Sequence, residues 1–201
     1  MRNTLPFALL GLVAVACGDK DETVTDDTSV EADADTDTDT DTDADSDPGQ
    51  DPEVTCTSKT GLVNTTTDGD GWLTTLDSSD LSGWTCMTFE DGSQANSDWS
   101  LAWQSWTAVM PQGVKGQVID NGDYDALTTA PAGGYSGANT TLFGDWFNYD
   151  PNTHVLTPHP KVYVIKDLDG DYWKLEVTSY YGDDGQTVHN PVFRWAALNA
   201  P

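Results

Sequence analysis

A chain of 201 residues is long enough for one domain with appendages. Its 34 acidic and 8 basic residues give a formal net charge of -26. No cluster of Lys and Arg exists to neutralise phosphates, which argues against nucleic acid and anionic membrane surfaces as partners.

The first segment reads as targeting. Arg2 is a short positive start, and Leu5 to Ala16 is an apolar run too short to span a bilayer as a helix. The run ends in Ala14-Val15-Ala16-Cys17-Gly18. Small residues immediately before a cysteine resemble a bacterial lipoprotein signal, with cleavage before Cys17 and acylation of its thiol. This predicts a signal peptide over 1–16 and a protein lipid-anchored to the membrane through Cys17, at the outer membrane or cell surface. The alternative is an ordinary secretory signal followed by an incidental cysteine.

Residues 17–53 are expected to be a tether. Residues 18–53 hold 16 acids and one base, Lys20, and Glu31 to Asp47 is nearly strict Asp-Thr and Asp-Ala alternation. Like charges at every second position repel, and nothing apolar is available for burial, so the segment is predicted to stay disordered and extended. No glycine-turned loop or closing glutamate organises these aspartates into a calcium site.

The remaining stretch, 54–201, holds all eight tryptophans and reads as one all-β, antiparallel domain with long loops. Cys56 and Cys86, 30 residues apart, are expected to form a disulfide, as leftover thiols of an exported domain do. Asp68-Gly-Asp-Gly71 has no glutamate at the position that would close a calcium loop, where Ser79 stands, and reads as a turn. Trp99, Leu101 and Trp103 alternate with polar or small residues. The apolar parity then moves to Trp106, Ala108 and Met110, which predicts a β-bulge near Ser105. Ala130–Gly144 is glycine-rich and reads as a connection. Val162–Ile165 and Trp173–Val177 flank Asp167-Leu-Asp-Gly-Asp171, a strong hairpin signal. Phe193 and Trp195 belong to a last strand. No G-x-S-x-G or H-E-x-x-H motif is present, and nothing in the sequence marks an enzyme.

Several of these blocks carry a family likeness. Asn96-Ser-Asp-Trp-Ser-Leu-Ala-Trp103 resembles the W-D-L-A-F block of the HmuY family of haem-binding lipoproteins. Lys161 to Tyr181 is similar to that family's C-terminal block, in which a V-x-V strand, a turn and a K-L-x-I-x-x-Y-Y strand follow one another. Val192-Phe-Arg-Trp195 then resembles its terminal strand, and Trp84 to Phe89 an early one. The likeness spans residues 80–197 and implies a β-rich fold with finger-like projections. It also implies haem as cofactor, captured at the cell surface without catalysis.

In that family one axial ligand lies in a finger insertion, and a second follows a W-x-x-[FY] element. Here Thr128–Asp145 contains no His, Met or Cys. The corresponding element is Trp146-Phe-Asn-Tyr149, and His154 is the first histidine after it. The haem-ligand candidates are therefore His154, Met110, His159 and Tyr149, with His189 and Tyr135 behind them. Imidazole and thioether are the usual axial donors, and tyrosinate ligates ferric haem. The competing reading is a surface module that meets glycan or protein through exposed aromatics. An apolar slot beside His154 would favour haem or another small apolar ligand, whereas a flat aromatic face would favour the second reading.

Overall fold

The computed structural model describes residues 53–201. The expected signal peptide, Cys17 and all but the last residue of the tether lie outside the described residues. The described residues form twelve strands and no helix, and every strand pairing is antiparallel, as the alternating patterns predict.

The chain opens with a hairpin of β1 (Val63–Asp68) and β2 (Gly71–Leu76). Asp68 pairs with Gly71, so Gly69 and Asp70 form a two-residue turn and not a cation loop. Gly71 is required by close packing: a Cβ there would lie 2.5 Å from the carbonyl oxygen of Trp195 on the neighbouring strand. Next come β3 (Thr85–Met87), β4 (Leu101–Gln104) and β5 (Thr107–Val109). They make a three-stranded sheet in that order.

Here the structure corrects the sequence reading. Gln104 pairs with Thr107, so Ser105 and Trp106 are a hairpin turn, not a bulge in one continuous strand. Ser105 takes a left-handed backbone, φ 53°, which reverses the chain. A register irregularity occurs instead between Val177 and Ser179.

The larger sheet gathers the remaining long strands. β6 (Lys115–Asp120) is followed by β7 (Ser136–Gly137), a short strand inside the glycine-rich connection. A separate two-stranded finger follows, β8 (Phe147–Asp150) and β9 (Val155–Pro158). Last come β10 (Lys161–Lys166), β11 (Tyr172–Ser179) and β12 (Val192–Leu198). The seven strands order as β1-β2-β12-β11-β10-β6-β7.

The two larger sheets pack their inner faces together. Trp103, Met87 and Leu101 meet Trp195, Phe193, Leu175 and Ile165, all fully buried. Trp103 stacks on Phe193 with centroids 6.0 Å apart, and Trp195 on Trp72 at 4.4 Å. The fully buried indoles of Trp103 and Trp195 each have an acceptor, as burial demands. Trp103 Nε1 donates to the Ser105 carbonyl at 3.0 Å, and Trp195 Nε1 to Thr74 Oγ1 at 2.8 Å.

Both sheets are also covered outside, which explains why β10 is apolar on both faces. Ala130 and Leu127 cover Val164 and Leu198. Beside them Lys174 buries its ammonium, which donates to the carbonyls of Tyr124 (2.7 Å) and Leu127 (2.8 Å). Desolvation lowers its pKa. The outer face of the small sheet is covered by the segment carrying Cys56. Cys56 and Cys86 are disulfide-bonded with Cα atoms 5.6 Å apart, as expected from the sequence.

Candidate functional site

The finger is anchored by Trp146, which is buried and donates from Nε1 to the carbonyl of Trp106 at 2.8 Å. From there β8 and β9 run outward in register, Phe147 opposite Pro158 and Tyr149 opposite Leu156. Paired residues share a face. Phe147 and Leu156 use that face to pack on the core, and the Leu156 N–H donates to Tyr181 Oη at 2.8 Å. Tyr149 continues the same face beyond the core and is 46% exposed.

The finger's turn is built on Asp150. Its carboxylate accepts the Asn152 N–H at 2.8 Å and the Thr153 hydroxyl at 2.9 Å. The Asn152 backbone N–H is the main reason its pKa lies below the ordinary value, with the Thr153 hydroxyl next. The His154 N–H donates to the Asp150 carbonyl at 2.8 Å, and His154 itself has φ 58°. A left-handed non-glycine residue is costly and persists only where its surroundings fix it. Here Tyr149 Oη and His154 Nδ1 share a hydrogen bond. Nε2 makes none with a described residue, and the side chain is exposed.

The other sequence candidates are not brought to this point. Met110 is buried in the core, 2% exposed, and lines a cleft at the far end of the β4–β5 hairpin. His159 sits at the finger's base, where Nδ1 lies 3.3 Å from both the carbonyl and a carboxylate oxygen of Asp145. Tyr135 packs against Tyr172 on the outer face of the large sheet. His189 is tied down elsewhere: Nδ1 meets Tyr180 Oη at 2.6 Å and Ser105 Oγ at 3.1 Å. Only Tyr149 and His154 come together. Sequence reasoning placed both on one list without pairing them. The signal was a tyrosine just before, and a histidine just after, the four-residue Asp150–Thr153 turn.

His154 is exposed at the finger's tip. Tyr149 and Val155, 46% and 41% exposed, lie on opposite faces of the finger, because Tyr149 pairs with Leu156 and Val155 with Asp150. An exposed apolar group surrounds the β4–β5 turn: Leu81, Trp106 and Val188 are 68%, 56% and 50% exposed. The Ser105–His189 and Gln104–Leu81 hydrogen bonds draw these three segments together.

The finger, projecting from a two-sheet antiparallel body, matches a known architecture. The family model described as HmuY protein matches residues 19–195. The chain belongs to the HmuY family. Solved HmuY-type structures share its fold at low sequence identity. The apo HmuY analogue TFO of Tannerella forsythia is 14% identical, with a TM-score of 0.53 over 67% of this chain and 97% of that one. A Bacteroides vulgatus protein named HmuY-like and haem-binding is 18% identical, with a TM-score of 0.50 over 64% of this chain and 93% of that one. A Bacteroides fragilis protein named as a lipoprotein is 16% identical, with a TM-score of 0.52 over 65% and 93%. No curated protein sequence matches the chain.

Proposed function

We propose that this HmuY-family chain is a surface lipoprotein, anchored through Cys17, that captures haem or a related planar apolar ligand without catalysis. The observation that carries the reading is the Tyr149–His154 pair on an exposed finger. The donor set fits one axial position. In the tautomer whose Nδ1–H donates to the Tyr149 hydroxyl oxygen, the imidazole is held in orientation and Nε2 carries the free lone pair. Bound haem would supply the iron that accepts this donor. The chain's own part is to hold His154 by the Asp150 turn and by Tyr149, and to offer the Tyr149 ring as apolar surface. Met110 is too buried, and His159 too closely tied to Asp145, to provide a second ligand here. With one axial donor, affinity leans on apolar burial, worth about 25 cal/mol per Å².

The exposed surroundings of His154, where the haem reading calls for an apolar slot, favour on this point a second reading, a module that meets glycan or protein through exposed aromatics. Trp106, 56% exposed between Leu81 and Val188, is the observation in its favour.

Haemin titration of the full chain in detergent separates them. Haem capture predicts a saturable Soret shift that His154→Ala abolishes and that His159→Ala and His189→Ala leave nearly intact. A wild-type titration without a shift removes the haem reading. An undiminished shift in His154→Ala keeps haem and discards this ligand. Detergent partitioning of wild type against Cys17→Ser tests the anchor: equal, aqueous distribution of both would refute it.

A further inference from the structure

A cleft of about 290 Å³ opens at the end of the β4–β5 hairpin opposite its Ser105–Trp106 turn, and so far from the finger. Three segments enclose it: the approach to β4, the exit from β5, and the β10–β11 turn. Its floor is apolar and buried, formed by Phe89, Met110 and Val114. Half-buried Trp99 lines it, and Leu168, 65% exposed, stands at its edge.

Its rim is acidic, and the three carboxylates differ. Asp167 has both oxygens engaged, one by the Asp171 N–H at 2.8 Å and one by Trp173 Nε1 at 2.7 Å, so it holds the turn. Asp98 and Asp169 make no hydrogen bond or ion pair with any described residue. The nearby Lys166 ammonium lies over the Tyr172 ring instead, 5.2 Å from its centroid. Asp98 is also held at φ 53°, a left-handed conformation at the mouth of a cavity. The carboxylates do not converge as metal ligands do: no group of three His, Cys, Asp or Glu that could hold a metal occurs among the described residues.

We infer that this cleft is a binding site for a guanidinium group carried on an apolar stem. Two open carboxylates select a cation, and the domain's excess of acids raises its local concentration. A guanidinium is planar, weakly hydrated and able to stack on an indole while it donates in a fork to a carboxylate. A methylene stem matches the Phe89, Met110 and Val114 floor. The volume is at the low end for small-molecule sites, suited to a side-chain-sized group. This site is independent of the finger and of haem.

The test is titration of the ¹⁵N-labelled full chain with N-acetyl-arginine amide, reading the Trp99 indole N–H, assigned through Trp99→Phe. A saturable shift is expected. The neutral citrulline counterpart should give none, and the lysine counterpart should bind several-fold more weakly. Asp98→Asn with Asp169→Asn should weaken binding about tenfold or more, since charge-assisted bonds become neutral ones. Asn tolerates the left-handed position, so the fold is kept, and an unchanged spectrum elsewhere verifies this. A short peptide with a central arginine sorts the source. Tighter binding assigns the site to a polypeptide arginine, equal binding to a free guanidinium compound, and either upholds it. No saturable shift, equal binding of citrulline or lysine, or full affinity in the double variant would overturn it.

Discussion

The molecule builds the same small device twice and uses it differently. In the finger, an Asp150-centred turn leads to His154, left-handed at φ 58°, whose Nδ1 meets Tyr149. At the β11–β12 connection, an Asp184-centred turn leads to His189, left-handed at φ 62°, whose Nδ1 meets Tyr180. The local chemistry is alike and the setting is not. Tyr180 is 3% exposed and packs against Trp146 and Tyr181. The His189 carbonyl accepts both the N–H and the hydroxyl of Ser78 at 2.8 Å. His189 is a peg that joins the β4–β5 turn to the large sheet. His154 has no such duties, so its imidazole is free for something outside the protein. Burial, not residue type, separates a structural histidine from a candidate ligand.

The strongest test of that contrast is truncation of the two tyrosines. Tyr180→Ala leaves a cavity in the core and strips His189 of its partner, and should cost about 3–5 kcal/mol of unfolding free energy. Tyr149→Ala removes a half-exposed ring and should cost about 0.5 kcal/mol or less. Urea unfolding of both variants measures the difference. Comparable losses would mean the finger is part of the cooperative core, and the distinction drawn here would fall.

The histidines should differ in the same direction by less. His189→Ala leaves Ser105 Oγ and the Tyr180 hydroxyl without their shared partner, at about 1–3 kcal/mol. His154→Gly should instead raise stability by up to about 1 kcal/mol, because glycine adopts the left-handed backbone without a Cβ clash. That variant would be at least as stable as wild type yet lose the proposed ligand. A destabilised His154→Gly would show that the imidazole holds the finger together.

What could be read from the sequence follows the range of the forces involved. The β10–β11 hairpin was legible because alternation and an Asp-Gly turn are local signals. The disulfide was legible because the sequence predicts export, and two thiols left in an exported domain have few other fates. The Ser105–Trp106 turn was not, since it contains neither glycine nor asparagine. Its conformation is fixed from a distance: the Ser105 N–H donates to the Ser78 carbonyl at 2.9 Å, and its hydroxyl meets His189. A parity slip in an apolar run looks the same for a turn as for a bulge, so only those remote contacts decide. Of the Val63–Leu76 hairpin only the Asp68–Gly71 turn was legible; its strands were not, because threonines fill both faces of β1. At the site, His154 was legible as a turn residue, but its pairing with Tyr149 depends on the β8–β9 register.

Acid provides the finest test, because both turns rest on a carboxylate. The Thr187 hydroxyl, then the backbone N–H groups of Thr187 and Gln186, hold the Asp184 carboxyl down to about 2. Asp150 is lowered in the same way by Asn152 and Thr153. A carboxyl depressed in the folded state binds its proton less readily than in the unfolded chain. Its contribution is therefore complete above the ordinary carboxylate range and fades as pH falls through the folded value. For Asp184 the window runs from about 4 down to about 2. Within it, the stability difference between wild type and Asp184→Ala should shrink towards zero, because the wild-type turn is losing what the variant already lacks. The Asp184 turn feeds the buried peg, so this loss should show as a small fall in the global unfolding midpoint. The Asp150 turn feeds only the finger. Its protonation should speed hydrogen exchange at the His154 amide, which donates to Asp150, relative to the Asn190 amide, which donates to Tyr180. The midpoint difference between Asp150→Ala and wild type should meanwhile stay flat with pH. If acid instead opened both amides together, the two turns would belong to one cooperative unit, and the finger would owe its order to the same core that fixes His189.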